Sequence, residues 1–263
     1  MPARILLAQL HAVHSSTENL EKITEVIRKA GQNGAQMVVF PEYMMSYPAE
    51  KGGRAERQPL FGPFAESLRI LAREYGMWLV CGMTERPDEP YSLPYNTILV
   101  IDSAGGLAAA HRKTHLYDAF QWQESKDYRA GWTPFVPVET PWGRLGLACC
   151  YELRFPEIFT RQTCDFFIVP AAWTRGPHKL LHWRTLLAAR AIENGVPVLG
   201  CTQTSPKVFT GGTAAFAPTG ECLGSLDEAE DVLEISLDLT QNDQTTRQNR
   251  RPELYTPKNN HPT

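Results

Sequence analysis

Short apolar strands alternate with amphipathic helical segments along the first third of the chain, and this alternation constrains the fold more than any other feature. Residues 4–10, 37–40 and 78–83 have the composition of buried strands. A helix begins after Ser15 with the pattern of a capping box, and apolar residues recur at helical spacing again over 63–75. Such interleaving predicts an α/β fold.

The later elements keep this alternation but add hairpins. Residues 96–101 and 107–111 flank a glycine-containing turn, which indicates two antiparallel strands. The remaining segments are predicted as strands at 145–149, 166–170, 196–201, 213–217 and 232–239, and as helices at 156–163 and 179–194. Because hairpins and crossovers are both present, we expect an α/β (α+β) fold with mixed sheets. No linker or repeat divides the chain, so we predict one domain over 1–263, with a peripheral tail at about 241–263.

Composition excludes several classes of partner. The chain has 26 basic and 29 acidic residues, a formal net charge of −3, and no basic run interleaved with aromatic residues. Binding to nucleic acid or to an anionic membrane is therefore not expected. The apolar stretch at the N-terminus is too short for a signal peptide or a membrane span. Six cysteines without CxxC spacing predict reduced thiols and a cytoplasmic protein.

The segment Gly143–Glu157, with the sequence GRLGLACCYELRFPE, has the pattern of a strand followed by a helix start. Cys150 stands at this junction, where α/β folds place reactive groups and where helix amides lower a thiol's pKa. The alternative interpretation is that Cys149 and Cys150 are both inert core thiols.

Two charged residues also stand just past predicted strands. Glu42 could take the proton of a thiol nucleophile, and the charge of Lys113 could stabilise an oxyanion together with the backbone amide of Tyr151. The alternatives are that Glu42 caps a loop and that Lys113 is a solvated neighbour of Arg112. The sequence alone does not show that these residues meet.

The segments VVFPEYM, HRKTHLYD and CCYELRFPE, in this order, resemble the three signature segments of the nitrilase superfamily of carbon–nitrogen hydrolases. The resemblance implies a four-layer α-β-β-α sandwich and a triad in which Glu42 is the general base, Lys113 the lysine and Cys150 the nucleophile. It makes Cys149 an inert neighbour and places a second active-site glutamate at Glu124. It also implies a thioester acyl-enzyme, no metal, no cofactor, and a homodimer or larger homo-oligomer paired through the helix layers.

Further matches extend the resemblance over nearly the whole chain. They are YNT at 95–97, HW at 182–183, ARAIEN at 189–194 and RRPELY at 250–255. One departure is Glu152, which stands where the family usually has aspartate. We expect this change to shift the turn slightly without removing a member of the triad.

Residues 115–125 and 170–183 most resemble the deaminated glutathione amidases. The substrate expected from this resemblance is a small carboxylated amide, such as the amide of a 2-oxo acid, which requires a cationic pocket. The cationic candidates are Arg175, Lys179 and Arg154, although Arg175 and Lys179 could equally belong to a solvated face. For Arg154, as for Glu157, we favour a mainly structural role in bracing the turn.

The substrate-binding prediction rests on Tyr151, Trp173 and Arg175, and Trp173 could equally be a core residue. An ω-amidase, an N-carbamoyl amidase and a nitrile hydrolase would share the triad, and a catalytically idle binding protein is a further alternative. His178 and His182 stand four residues apart, but without a third ligand nearby they do not indicate a zinc site.

Overall fold

Two six-stranded sheets form the centre of the computed structural model, which describes residues 2–48, 53–119 and 122–239. The first sheet has the order β14-β1-β2-β3-β4-β5 and the second has the order β13-β12-β11-β10-β9-β8. The strands of the first sheet are β1 (Ala3–Gln9), β2 (Met37–Val39), β3 (Trp78–Glu85), β4 (Tyr95–Ile101), β5 (Leu107–Arg112) and β14 (Asp231–Leu237). Those of the second are β8 (Val138–Thr140), β9 (Gly143–Leu147), β10 (Phe166–Ala171), β11 (Val198–Thr202), β12 (Ala214–Phe216) and β13 (Cys222–Ser225).

Four α-helices, two 3-10 helices and a small hairpin complete the described elements. The α-helices are α1 (Ser16–Gln32), α2 (Pro63–Tyr75), α3 (Pro156–Thr160) and α4 (Lys179–Asn194). The 3-10 helices are Glu124–Lys126 and Cys150–Arg154, and the hairpin pairs β6 (Asp118–Ala119) with β7 (Trp122–Gln123).

Both sheets are mixed, as the sequence predicts. In the first, β1, β2 and β3 are parallel while β4, β5 and β14 run antiparallel to their neighbours. In the second, β9, β10 and β11 are parallel and the outer strands are antiparallel. Three parallel strands at the centre of each sheet bring several strand ends to the same edge.

The layers follow from the alternation of side chains along each strand. In the first sheet, Leu6 and Val38 pack in a core with Ile27 of α1, whereas Ile5 and Val39 point the other way, into the core shared with the second sheet. Trp183, Leu187 and Ala191 of α4 pack on the outer face of the second sheet. The result is the four-layer α-β-β-α sandwich that the resemblance implies.

Most predicted elements are present and differ only at their ends. The helix predicted at 156–163, for example, ends three residues early, at Thr160. The helix predicted at 179–194 coincides with α4, but the strand predicted at 145–149 ends at Leu147. No helix among the described ranges is long and apolar enough to cross a membrane. The predicted tail at 241–263, and with it the RRPELY match, lies outside the described residues.

Candidate active site

Glu42 lies three residues beyond the end of β2 and is almost fully buried. Its Oε1 accepts hydrogen bonds from Lys113 Nζ at 2.9 Å and Asn96 Nδ2 at 2.7 Å. Its Oε2 accepts one from the backbone amide of Ala172, at 2.7 Å, just beyond β10 of the second sheet. The carboxylate therefore bridges the carboxyl ends of strands from both sheets.

Lys113 follows β5 directly, and its ammonium group lies between two carboxylates. Its Nζ donates to Glu42 at 2.9 Å and to Glu124 Oε2 at 2.9 Å. Burial alone would lower the pKa of Lys113, but the charges of Glu124 and Glu42 outweigh it and hold that pKa well above its usual value. The side chain is therefore a fixed cation and not the solvated lysine of the alternative interpretation.

Glu124 opens a 3-10 helix and is also buried. Tyr43 Oη donates to its Oε1 at 2.5 Å, and the backbone amide of Tyr117 donates to its Oε2 at 2.7 Å. Burial would raise the pKa of Glu124, yet the charge of Lys113 and these hydrogen bonds lower it overall. Glu124 thus remains ionised and helps to keep Lys113 protonated.

Cys150 is the first residue of the 3-10 helix Cys150–Arg154 and faces the same cavity as Glu42 and Lys113. Its φ of 49° lies in the left-handed region, which is unusual for a residue with a side chain. Burial, with the neighbouring Glu42 carboxylate that accepts its hydrogen bond, raises the pKa of the thiol well above its usual value, and Lys113 opposes this shift. The resting group is therefore a neutral thiol beside a proton acceptor.

Cys149 is buried, as expected of a core thiol, but it does not continue the strand. Its backbone amide donates to Glu152 Oε2 at 2.7 Å, and β9 has already ended. Its Sγ lies 3.3 Å from Glu42 Oε1 as a hydrogen-bond donor. Cys149 is therefore part of the hydrogen-bonding environment of Glu42, which the sequence did not indicate.

A cavity of about 470 Å³, including its open mouth, has a floor formed by the side chains of Glu42, Lys113, Glu124 and Cys150. Tyr151 and Trp173, both predicted to bind substrate, line its wall. Trp173 is also a packing residue, since its ring lies 5.2 Å from that of Trp183, so both of its proposed roles are compatible.

The cations at the cavity differ from those favoured by the sequence. Arg175 does not line it, because its guanidinium donates to the carbonyl of Ser205 and pairs with Glu228. Arg154, predicted to be a mainly structural residue, does line the cavity, with its guanidinium 5.1 Å from the centre of the Trp173 ring. Lys179 lines it as well, and its Nζ donates to Tyr117 Oη at 3.1 Å.

Comparison with known proteins identifies the family. A family model described as carbon-nitrogen hydrolase matches residues 4–247. The chain is a carbon-nitrogen hydrolase. It is therefore an enzyme that hydrolyses carbon–nitrogen bonds other than peptide bonds, and it belongs to the nitrilase superfamily.

Relatives of this hydrolase match it over most of its length. It is 32% identical to a deaminated glutathione amidase of Dictyostelium discoideum, over 90% of this chain and 88% of that protein. It is 30% identical to the omega-amidase NIT2 of Xenopus tropicalis, over 96% of both. The crystal structure of the NitFhit protein of C. elegans superposes with a TM-score of 0.83 at 31% identity, covering 97% of this chain and 66% of that longer one.

Sequence reasoning missed two residues of the hydrolase's buried cluster. Asn96 Nδ2 donates to Glu42 and, at 2.9 Å, to Glu124, although the sequence indicated it only as part of the YNT match. Tyr43 directly follows Glu42 and adopts a φ of 57°, which lets its hydroxyl reach Glu124. Asn96 is a polar residue near the start of a largely apolar strand, and this feature of the sequence could have indicated its role.

Metal ligation has no support in the part of the hydrolase that the structure describes. Over residues 2–48, 53–119 and 122–239, no group of three or more His, Cys, Asp or Glu side chains could hold a metal ion. The Glu42 and Glu124 carboxylates at the cavity floor accept hydrogen bonds from ammonium, amide and hydroxyl donors.

Proposed function

We propose that this hydrolase is a cysteine-dependent amidase that cleaves a small carboxylated amide through a thioester acyl-enzyme. The observation that carries the proposal is the convergence of the Cys150 thiol, the Glu42 carboxylate and the Lys113 ammonium at one cavity floor. A neutral thiol needs a base within reach, and a developing oxyanion needs a fixed positive charge. The floor contains both.

Acylation begins when Glu42 takes the thiol proton as Cys150 Sγ attacks the amide carbonyl carbon. The new C–S bond moves the carbonyl electron pair onto oxygen, and the Lys113 ammonium and the Tyr151 amide stabilise that oxyanion. Collapse of the tetrahedral intermediate breaks the C–N bond. The nitrogen takes the proton from Glu42 and leaves as ammonia or an amine.

Deacylation reuses the same groups. Glu42 takes a proton from water, and the resulting hydroxide attacks the thioester carbonyl. The second intermediate collapses with cleavage of the C–S bond, the acid leaves, and the proton on Glu42 returns to the Cys150 sulfur. Glu124 does not exchange protons in this scheme, because its role is to hold Lys113 charged and in place.

The substrate class follows from the mouth of the cavity. Arg154 and Lys179 present positive charge near the face of Trp173, which suits a ligand with a carboxylate at one end and an amide at the other. The relatives named deaminated glutathione amidase and omega-amidase support a 2-oxo-acid amide, with deaminated glutathione as the first candidate and 2-oxoglutaramate or 2-oxosuccinamate as the alternative.

A substrate panel tests this assignment. Ammonia release would be measured with 2-oxoglutaramate, a carbamoyl amine and a simple nitrile, and release of the dipeptide cysteinylglycine with deaminated glutathione. A 2-oxo-acid amide should exceed the carbamoyl amine and the nitrile in kcat/KM by at least about 100-fold, or about 2.7 kcal/mol. Comparable rates on all four compounds would reject the narrow substrate class while leaving the mechanism intact.

Replacement of the thiol tests the mechanism. Cys150→Ala and Cys150→Ser should lower kcat by a factor on the order of 1,000 or more, because Cys150 carries the one thiol among the described residues that line the cavity. The exposed thiol of Cys222 offers a matched control, and Cys222→Ser should keep wild-type turnover. Turnover by Cys150→Ala close to that of the wild type would show that the nucleophile lies elsewhere. If intact-mass measurement detects no covalent adduct on wild-type Cys150 with any of the amides, the result would favour an idle binding protein.

Assembly, location and domain extent stay predictions. We expect a homodimer or larger oligomer paired through the helix layers, and two apolar side chains of α4, Leu181 and Ile192, are exposed for such a contact. A single 29.5 kDa species by light scattering would contradict it. The single domain over 1–263 and the cytoplasmic location likewise remain expectations from the sequence.

A further inference from the structure

The carboxylate of Glu152 is fully buried two residues beyond Cys150, and the proposed reaction gives it no part. Its Oε1 accepts hydrogen bonds from the backbone amide and the hydroxyl of Thr114, each at 2.7 Å. Its Oε2 accepts one from the backbone amide of Cys149 at 2.7 Å and lies 2.8 Å from His111 Nε2. Four donors thus converge on one side chain, and that side chain does not line the cavity.

The positions of these donors matter more than their number. Cys149 immediately precedes Cys150 and lies two residues beyond β9 of the second sheet, whereas Thr114 immediately follows Lys113, the first residue after β5 of the first sheet. One carboxylate therefore holds the backbone beside the nucleophile to the backbone beside the lysine. Along the chain these two points are 35 positions apart.

The backbone at Cys150 needs such support. A non-glycine residue at a φ of 49° costs on the order of 1–3 kcal/mol and persists only where its surroundings enforce it. Glu152 supplies that enforcement from both ends of the turn. Its own backbone amide donates to the carbonyl of Cys149 at 3.0 Å, while its side chain holds the Cys149 amide.

Glu152 is suited to hold position and not to transfer protons. Burial would raise the pKa of this carboxyl, but His111 and the backbone donors lower it to about 2. It therefore stays a carboxylate throughout the pH range in which an amidase would work. It lines no part of the cavity and cannot touch a substrate.

We propose that Glu152 is a positioning residue that sets the placement of the Cys150 thiol relative to the Lys113 ammonium by hydrogen-bonding the backbone next to each. His111 and Thr114 fix Glu152 in turn. The glutamate that departs from the usual aspartate is thus matched to its partners in this chain, because an aspartate at the same Cα is one methylene shorter. This inference rests on the proposed function, since the two groups it aligns are those of the proposed reaction.

The experiment compares Glu152→Gln, Glu152→Asp and Thr114→Ala with the wild type. Glutamine has the size of glutamate, but its NH2 group would face a hydrogen-bond donor that one carboxylate oxygen now accepts. A misplaced nucleophile should then lower kcat by about 100-fold and change KM by less than threefold. Aspartate keeps both acceptor oxygens and should recover part of that loss. Thr114→Ala removes one donor, leaves Glu152 in place, and should cost several-fold in kcat.

A matched control separates positioning from stability. Glu85 is another buried carboxylate, bonded to Thr97 and Arg112 and not lining the cavity. Glu85→Gln and Glu152→Gln should both lower the midpoint of denaturant unfolding, but Glu85→Gln should keep the wild-type kcat. Equal kcat losses in the two variants, or a Glu152→Gln kcat within threefold of the wild type, would overturn the proposal.

A second readout does not depend on any amide substrate. The rate at which iodoacetamide alkylates Cys150, followed by peptide mass mapping, reports how well the thiol and its base are aligned. Glu152→Gln should slow this rate at least tenfold at fixed pH, and an unchanged rate would contradict positioning. An inactive wild type in the substrate panel, together with a slowed rate in Glu152→Gln, would reject the proposed substrates and retain the inference.

Discussion

At the scale of single residues, the cavity floor shows how two buried carboxylates and one buried ammonium coexist. Removing such charges from water is costly unless each is paired and hydrogen-bonded. Glu42 and Glu124 share Lys113, which leaves a formal charge of −1 for the three groups. Neutral hydrogen-bond donors stabilise the remaining negative charge. The side-chain amide of Asn96 matters most among them because it donates to both carboxylates.

Substitution of Asn96 tests this dependence. Asn96→Ala removes a donor from each carboxylate, so kcat should fall by about 10- to 100-fold and the free energy of unfolding by about 2–3 kcal/mol, the cost of leaving buried charged groups short of a donor. Steady-state kinetics and denaturant unfolding measure the two effects.

Asn194 provides the control, since it is buried, does not line the cavity, and donates to a helix carbonyl, that of Arg190. Asn194→Ala should lose stability without losing kcat. An Asn96→Ala enzyme with wild-type kcat would show that the amide stabilises the fold alone.

At the scale of elements, strand ends and close backbone contacts place the functional groups. Gly82 of β3 lies against the segment that carries Glu42, and its amide donates to the carbonyl of Pro41 at 3.1 Å. A Cβ at this position would lie 2.7 Å from Glu42 Cα and 2.6 Å from the amide nitrogen of Tyr43. Both are backbone atoms, so only a shift of the whole segment could relieve the overlap.

Gly82→Ala is therefore expected to displace Glu42. Because a displacement near 1 Å at a reacting group costs about 100-fold, kcat should fall by that order. Gly76 ends α2 at a φ of 61° with open space around it, and Gly76→Ala should cost only about 1 kcal/mol of stability with kcat unchanged. Unfolding midpoints and kcat would be measured for both variants. If both lost kcat equally, the close contact at Gly82 would have no special role.

Sequence patterns predicted elements and strand-end residues well, because apolar periodicity and motif order are local properties. They failed where a side chain's partner is distant along the chain. The strand before Cys150 ends early because Glu152 takes the amide of Cys149, and Arg175 points away from the cavity because Ser205 and Glu228 bind it. Nothing in the sequence next to Arg154 indicates that its guanidinium lies over Trp173.

At the scale of the whole molecule, a buried carboxylate with a lowered pKa makes stability depend on pH. The pKa of Glu152 falls from 4.5 to about 2 on folding, so the unfolded chain binds the proton more tightly. The resulting stabilisation is complete above pH about 4.5 and is lost as the pH falls towards 2. A shift of this size corresponds to about 3 kcal/mol.

Acid unfolding of the Glu152→Gln variant should therefore depend less on pH than that of the wild type between pH about 4.5 and 2. The difference in the free energy of unfolding between the two proteins should narrow by about 3 kcal/mol across this range. Denaturant unfolding at several pH values measures it. Glu139, whose side chain is 77% exposed, supplies a control whose glutamine variant should follow the wild type, and parallel curves for all three proteins would contradict the linkage.

The bridging position of Glu42 has a consequence for refolding. One of its oxygens is held by Lys113 of the first sheet and the other by the amide of Ala172 of the second. A folding intermediate in which only the first sheet has formed holds Glu42 without the Cys150 thiol, and one in which only the second sheet has formed holds the thiol without its base. Neither intermediate can hydrolyse a substrate. After dilution from denaturant, the rate at which activity recovers therefore reports the docking of the two sheets. The rate at which the circular dichroism signal recovers reports the formation of the sheets themselves.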